Sequence, residues 1–326
     1  MNYRTLAKTS SLALVLFLSA CVGSSDQPSE GELGNAHFAW DDGVFGCLLG
    51  CDAAEPMVAH AVAYLQILNK DDLPVFTVES SNPDVFEASS AGSFIRLDSH
   101  GAGEAKVVLV DSSGEVVDRF EVRVRDIATI EILGEDDFQP PFHIMTEGEA
   151  QISLELKDGK GNRLKGIGGV EYTLSGDLDE ERATLVTALA DLIVSVFAGT
   201  STEYVSVEAL GVGDGSITAT ARNGAMLSIP VVIVDDSAID RIVITGASGD
   251  SPLLGESTFI DASAFTGEHQ VYSPNCQWSL SPEGGSSIRI SATGRDYVSL
   301  TADMPGVAAI TCTIGDDSAS MQVEYR

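Results

Sequence analysis

The chain has 326 residues, of which 49 are acidic and 18 basic, giving a formal net charge of −31. This length predicts two or three domains, and a hydrophobic fraction of 44% is enough to form packed cores. Nucleic-acid phosphates and anionic lipid surfaces repel so acidic a protein, which excludes nucleic acid as a partner.

The first twenty residues have the parts of an export signal. Arg4 and Lys8 form a short positive region, and the apolar run 12–18 is too short to span a bilayer. The run leads into the tetrapeptide LSAC, which ends at Cys21 and resembles the lipobox of bacterial lipoproteins. The resemblance implies cleavage before Cys21, acylation of this residue and, because the next residue is not aspartate, sorting to the outer membrane. The alternative is an ordinary secretory signal that has a cysteine near its cleavage site.

Residues 21–36 are expected to form a lipid-anchored flexible tether. The stretch 22–34 has no hydrophobic periodicity and is rich in serine, glycine and acidic residues. This composition is typical of linkers, which cannot bury enough apolar surface to fold.

The other four cysteines are expected to form disulfides. They are Cys47, Cys51, Cys276 and Cys312. An even number of cysteines in an exported protein favours disulfides, and four cysteines allow three connectivities. We favour Cys47–Cys51 and Cys276–Cys312, because each pair lies inside one proposed domain.

The rest of the chain has the alternation of half-buried strands. In the segment 120–126, apolar and charged residues alternate, so that one face meets a core and the other meets water. The same pattern recurs at 152–157 and 319–325. Turn-forming sequences lie between such runs, at 111–114, 158–162 and 222–224. Many short strands with regular turns predict an all-β fold built from sandwiches.

The stretch 184–198 fits two structures. As a helix, the stretch would place four apolar side chains, from Leu185 to Val196 inclusive, on one face. As a strand, it would use the alternation of apolar residues from Leu192 to Val196. Short apolar runs are ambiguous by periodicity alone. We favour strands because the flanking sequence has a β pattern.

An internal repeat indicates three domains. The segment 122–132 and its counterpart 232–244 each have the pattern of a last strand, an acidic hinge and a first strand. Similar glycine-led blocks occur at 103–109, 215–221 and 306–312. Units of about 100 residues are far longer than solenoid repeats and indicate globular domains in tandem. The predicted domains are 37–126, 127–235 and 236–326.

These domains resemble known bacterial modules. Residues 78–85 (VESSNPDV) resemble the group 2 bacterial immunoglobulin-like domain, and so do 276–280 together with 308–312. Residues 154–166 and 170–174 resemble the invasin and intimin type of immunoglobulin-like repeat. The resemblance implies tandem immunoglobulin-like β-sandwiches over most of the chain and names no ligand.

Cys276 and Cys312 are expected to face one core. Cys276 shares a strand face with Trp278, and Cys312 shares one with Ala308 and Ile310. A bridge would therefore join two strands on their buried face beside Trp278. The alternative is two free buried cysteines, but export favours the bridge.

Motifs for catalysis or metal binding are scarce. The five histidines, at 37, 60, 100, 143 and 269, are isolated in the sequence, and a lone histidine is more often a surface or core residue. The sequence GDSPL at 249–253 lacks the companion motifs of serine hydrolases and is interpreted as a loop. Cys47 and Cys51 could instead bind a metal, but the nearby histidines have no recognised spacing. The sequence thus predicts no catalytic residue, no metal ligand and no cofactor.

Acidic clusters could bind calcium at the hinges. They lie at 71–72, 135–137, 177–181, 235–236 and 316–317. Oxygen ligands suit Ca²⁺, and an ion at 135–137 or 235–236 could stiffen the chain between domains. No known calcium loop is present, and charge runs usually only keep a surface solvated, which is the interpretation that we favour.

Three functional hypotheses follow from the sequence. The first and favoured one is a non-catalytic, lipid-anchored envelope protein whose immunoglobulin-like domains act as a stalk or an adhesion module for an unknown protein or glycan. The second is an envelope spacer without a ligand. The third, a hydrolase hidden in one domain, is disfavoured because three small sandwiches leave little room for a cleft. No exposed aromatic cluster is recognised as a ligand site.

Overall fold

The computed structural model describes residues 29–40, 53–91, 94–133, 140–187, 203–246 and 252–326. Within these ranges the chain forms 25 β-strands and two 3₁₀ helices, so the predicted all-β fold class is confirmed. The described residues form two units. One contains the residues up to Asp126 and the loop Lys160–Ile167, and the other contains most of the chain from Ile127 onward.

The first unit is a sandwich of two sheets. Its strands are β1 (Ser29–Glu30), β2 (His37–Trp40), β3 (Met57–Val58), β4 (Val62–Ile67), β5 (Phe76–Ser80), β6 (Phe86–Ala91), β7 (Phe94–Ser99), β8 (Gly103–Asp111) and β9 (Val116–Arg125), with a 3₁₀ helix at Lys70–Asp72. The sheets have the orders β1-β2-β4-β7-β6 and β3-β9-β8-β5. Phe38 and Leu65 from one sheet share a buried core with Leu109 and Val122 from the other.

The strand order is that of an immunoglobulin domain. If β2 and β4 to β9 are taken as strands A to G, the two sheets read A-B-E-D and G-F-C, which is the constant-type arrangement. Strand β3 adds to the second sheet by pairing in parallel with β9.

The second unit begins with a repeat of the same arrangement. Its strands are β10 (Thr129–Ile132), β11 (Phe142–Met145), β12 (Glu149–Lys157), β13 (Val170–Gly176), β14 (Ala183–Thr187), β15 (Glu203–Ala209), β16 (Gly213–Ala221) and β17 (Met226–Val234). With β10 and β12 to β17 as A to G, the order is again A-B-E-D and C-F-G, and β11 pairs in parallel with β17. Of the ambiguous stretch 184–198, residues 184–187 are strand and the remainder lies outside the described residues.

The third repeat continues in the same unit. After a 3₁₀ helix at Asp236–Ala238, its strands are β18 (Arg241–Gly246), β19 (Thr258–Thr266), β20 (His269–Tyr272), β21 (Gln277–Pro282), β22 (Arg289–Thr293), β23 (Tyr297–Thr301), β24 (Gly306–Ile314) and β25 (Asp317–Tyr325). Strands β18-β19-β23-β22 and β21-β24-β25 repeat the A-B-E-D and C-F-G orders. The three glycine-led blocks of the sequence are therefore the equivalent F strands β8, β16 and β24.

Strand β20 joins the sheets of the second and third repeats. It forms a hairpin with β19 and also pairs in parallel with β11, through His143 with Val271 and Ile144 with Tyr272. One sheet therefore runs through both repeats. The predicted boundary at 235/236 lies inside this unit and remains a prediction.

The loop Lys160–Ile167 belongs to the first unit, although its sequence position is in the predicted second domain. The Lys165 N–H donates to the Pro56 carbonyl at 2.9 Å, and the Val58 N–H donates to the Lys165 carbonyl at the same distance. Leu164 and Ile167 are buried. These two apolar residues explain why the loop packs instead of remaining in solvent.

The expected tether is folded where the structure describes it. Ser29–Glu30 pairs with β2, and the buried carboxylate of Asp118 accepts the N–H groups of Leu33, Asn35 and Ala36 at 2.9, 2.8 and 2.7 Å. The prediction of a flexible tether is therefore wrong for residues 29–36. The physical reason is that a carboxylate far along the chain replaces the hydrogen bonds that this polar segment would otherwise make with water.

Candidate functional site

One disulfide lies in the core of the third repeat. Cys276 and Cys312 are joined with their Cα atoms 5.2 Å apart, and both are buried. Cys312 lies opposite Trp278 in the pairing of β21 with β24. The bond therefore links neighbouring strands of one sheet on their buried face. It crosslinks the core and leaves no sulfur exposed to solvent.

The other cysteines lie outside the described residues. These are the proposed lipidation site Cys21 and the proposed pair Cys47 and Cys51. Acylation and the second disulfide therefore remain predictions.

The acidic hinge residues line a cleft but do not converge as metal ligands. Glu147, Asp235 and Asp236 border a cleft of about 410 Å³, and the Asp235 carboxylate accepts the Ser237 N–H at 3.0 Å as a helix cap. Within the described ranges, no three His, Cys, Asp or Glu side chains meet in a way that could hold a metal ion. The cluster at 135–137 lies outside those ranges, and the calcium hypothesis remains a prediction.

Two histidines that are isolated in the sequence meet in the structure. His143 on β11 and His269 on β20 have ring centres 4.7 Å apart with nearly parallel planes. Sequence reasoning missed this contact because it depends on the parallel pairing of two strands from different repeats. Ser251, of the GDSPL loop, lies outside the described residues.

A buried carboxyl group links two segments of the second repeat through hydrogen bonds. Glu203, only 1% exposed, accepts the Gly168 N–H at 2.7 Å and the Tyr172 hydroxyl at 3.0 Å. Burial raises the pKa of Glu203 to about 7, although these hydrogen bonds lower it. Burial, and then the charge of Glu203, raise the pKa of Tyr172. Because the carboxyl group is enclosed, this pair is an internal contact of the repeat and presents no acid to solvent.

The third repeat exposes a group of large apolar side chains, here called the apolar patch. It consists of Leu253, Leu254, Phe259, Tyr297 and Met304. Phe259 on β19 is 58% exposed, and its ring centre lies 6.3 Å from that of Tyr297 on β23. The loop with Leu253 lies beside the end of β23, where the Gly255 N–H donates to the Ala302 carbonyl at 2.9 Å. Exposed aromatic and methionine side chains are typical of the centres of protein interfaces.

Charged residues lie beside some members of this apolar patch. Asp261 lies opposite Tyr297 in the strand pairing and is exposed, and Arg289 forms an ion pair with Asp303, next to Met304. Residues 236–326 contain twelve acidic residues and four arginines. The third repeat therefore combines exposed apolar side chains with an excess of acidic residues.

The sequence contains a signal for this site that the sequence analysis did not use. In β19, Ile260, Ala262 and Ala264 are buried, so Phe259 lies on the outward face, where a polar residue is expected. An aromatic residue on the solvent side of an alternating strand indicates a binding surface.

Comparisons with known proteins give only distant likenesses. No known family model matches the chain, and no curated protein does. Among solved structures, the chain is similar to domains 1–6 of the surface layer protein SbsC (19% identity, TM-score 0.34, 80% of this chain and 35% of that one). It is also similar to the Escherichia coli adhesin FdeC, with 13% identity and a TM-score of 0.28 over 92% of this chain and 99% of that one. The similarity to invasin, a bacterial integrin-binding protein, has 13% identity and a TM-score of 0.26 over 84% of this chain and 58% of that one. The chain spans 38% of the SbsC structure that contains domains 4–9.

These TM-scores are too low to support an argument about fold or function. The immunoglobulin-like assignment therefore rests on the strand orders given above. Among the residues that the structure describes, no helix has the length and apolar character needed to cross a bilayer.

Proposed function

We propose that the protein is a non-catalytic, lipid-anchored component of the bacterial cell envelope, and that its third repeat recognises a protein partner. The observation that carries the proposal is the apolar patch, with its exposed Phe259–Tyr297 pair. Two aromatic side chains that contact each other while exposed on a charged protein are typical of an interaction surface.

A protein partner fits this patch better than a glycan. Only Phe259 and Tyr297 of the five residues offer a flat ring for stacking against a sugar, whereas methionine and aromatic side chains are all enriched at protein interfaces. The excess of acidic residues in the third repeat favours a basic partner, because complementary charge speeds encounter and selects orientation. Binding should therefore weaken as salt is raised.

Anchoring is supported by sequence and by the chemistry of the cysteines. The LSAC tetrapeptide places Cys21 where a lipoprotein would be acylated, and two or three acyl chains anchor a protein stably. The disulfide between Cys276 and Cys312 supports export, because such bonds persist in oxidising compartments. We place the protein at the outer membrane.

A non-catalytic role agrees with the arrangement of the reactive side chains. Neither ring nitrogen of His143 has a hydrogen-bond partner, so the contact with His269 does not activate a hydroxyl or a thiol. Glu203 is enclosed by Gly168 and Tyr172. Within the described residues these groups do not form the nucleophile and base of a hydrolase.

The recognition surface can be tested by site-specific photo-crosslinking in cells. A photoreactive amino acid is placed at residue 259, and, as matched controls, at the exposed positions 75 and 226 of the other repeats. We expect one discrete protein adduct at position 259 that is absent at both controls, and that disappears in the Tyr297→Ser background. Equal adducts at all three positions, or none, would refute recognition through the apolar patch and favour a spacer. A sugar-bearing adduct or glycan-array binding lost with Tyr297→Ser would overturn the protein partner in favour of a glycan.

The anchor is tested separately by the mass of the membrane-extracted protein. An acylated cysteine at the N-terminus is expected, and Cys21→Ser should release the protein from the membrane fraction. Unmodified protein in the cytosol would refute the lipid anchor and leave the surface experiment valid.

A further inference from the structure

Within the described residues, the strand pairing that joins the second and third repeats is a two-residue ladder. His143 and Ile144 of β11 lie opposite Val271 and Tyr272 of β20. On its other side β11 pairs with β17 over four residues. The short ladder has few hydrogen bonds to lose, so this is a place where the sheet can open locally at low cost.

His143 is a polar residue on an apolar face of this ladder. Its neighbours across the two pairings are Val232 on β17 and Val271 on β20, and Met145 follows on the same face. These three apolar residues pack into or against the core that contains the disulfide. His143 itself is only 9% exposed, so its ring has been removed from water at a cost that an apolar residue would not have.

The ring does not recover this cost through hydrogen bonds. Both Nδ1 and Nε2 of His143 are inaccessible, and neither has a hydrogen-bond partner among the described residues. Buried polar atoms without partners are rare and call for an explanation. A protonated imidazole would be worse placed than a neutral one, because it adds a second donor and a full charge to the same apolar surroundings.

The charged groups that act on the ring come from two neighbouring strands. His269 on β20 is exposed, and its ring centre lies 4.7 Å from that of His143. Asp214 on β16 is also exposed, and β17 places the uncharged Val232 between them. Burial lowers the pKa of His143, His269 lowers it further, and Asp214 raises it. The paired strands therefore favour the neutral ring.

We propose that the junction of the second and third repeats is acid-sensitive: β20 stays paired with β11 while His143 is neutral, and separates from it when His143 takes up a proton. Because both nitrogens are inaccessible in the paired state, the proton reaches them only after the strands part. In the open state the ring is in water, where the ordinary pKa of a histidine is about 6.5. Acid thus frees the third repeat, which carries the apolar patch, from the sheet that it shares with the second.

The direction of the effect follows from the lowered pKa of His143 in the paired state. Its contribution to closure is complete above about pH 6.5 and is lost as pH falls toward the lower value. Between pH 7 and pH 5 the open fraction should rise by up to about 25-fold. Glu203 responds in the opposite direction, because burial raises its pKa and falling pH favours its neutral form. The two responses therefore differ both in sign and in place.

The test is amide hydrogen exchange of the purified protein at pH 7 and pH 5, with rates corrected for the intrinsic effect of pH. We expect protection at residues 142–145 and 269–272 to fall by up to about 25-fold, and protection in β15 not to fall. His143→Phe keeps a flat ring that does not titrate and should abolish the loss. The matched control is His100→Gln, an exposed histidine of the first unit, which should respond as the wild type does.

Carboxyl groups of model peptides titrate near pH 4, so the comparison stops at pH 5. Equal protection of the wild-type junction at both pH values would overturn the proposal, and so would a loss that persists in His143→Phe. A uniform loss over the whole second unit would also overturn it, because it would show global unfolding. If His143→Phe does not fold, His143→Gln replaces it, since glutamine is polar and does not titrate.

Discussion

Replacing Asp118 by asparagine tests whether one buried carboxylate folds the N-terminal segment onto the first unit. One oxygen accepts the N–H groups of Leu33 and Arg119, and the other accepts those of Asn35 and Ala36. Asparagine keeps a single acceptor oxygen, so two of the four donors lose their partner and face an NH₂ group. Hydrogen bonds to a charged group contribute about 1.5–3 kcal/mol each, which predicts a loss of about 3–6 kcal/mol. This is a large fraction of the stability of an ordinary domain.

Urea unfolding and amide hydrogen exchange measure this effect. Asp118→Asn should lower the unfolding midpoint and speed exchange at the amides of Leu33, Asn35 and Ala36 before exchange in the sandwich core increases. Asp84→Asn, which removes the same charge from an exposed position, is the matched control and should change stability by less than about 0.5 kcal/mol.

The same carboxylate predicts a dependence on pH. Burial raises the pKa of Asp118, but the backbone N–H groups lower it by more, so its folded value lies below the ordinary one. Its contribution to stability is therefore complete above the unfolded pKa of about 4 and is lost as pH falls through the folded pKa. If Asp118→Asn unfolds at the same urea concentration as the control and its N-terminal amides exchange no faster, the reasoning is refuted.

Two further stability predictions follow from buried groups in the second unit. Replacing both Cys276 and Cys312 by serine removes a crosslink with a sequence separation of 36 and should lower the free energy of unfolding by about 4 kcal/mol. The urea midpoint of the variant should be lower than that of the wild type and should not change when reductant is added. A wild-type midpoint that reductant does not lower would contradict this prediction. Burial raises the pKa of Glu203 from 4.5 to about 7, so the folded state favours the neutral carboxyl group. The stability that this group contributes is complete below pH 4.5, and the free energy of unfolding falls by about 3 kcal/mol as pH rises to about 7. Glu203→Gln should remove this slope in urea midpoints measured between pH 5 and 8, and an unchanged slope would show that another group causes it.

The strands could be predicted from the sequence because alternating burial is local information. Segments such as 120–126 and 319–325 show which residues face a core without reference to any other strand, and they lie in β9 and β25. The glycine-led blocks recur for the same reason, since each repeat needs an equivalent central strand. The family resemblance implied sandwiches, but the order of strands within the sheets was not predicted and is a finding of the structure.

The features that the sequence did not reveal depend on partners far along the chain. Ala36 finds its acceptor 82 residues later, so nothing near residues 29–36 distinguishes them from a flexible linker. The contact of His143 with His269 and the contact of Phe259 with Tyr297 likewise need the strand register. Of these residues, only Phe259 could have been recognised from its local sequence, because it is an aromatic residue on the outward face of β19.

The folding of residues 29–36 changes what an anchor at Cys21 would do. Only residues 22–28 would then separate the acylated cysteine from β1, and seven extended residues span at most about 25 Å. The first unit would thus be held near the bilayer, where an anionic lipid surface repels a chain with net charge −31. The apolar patch belongs to the other unit, so its binding to a partner can be measured independently of the anchor.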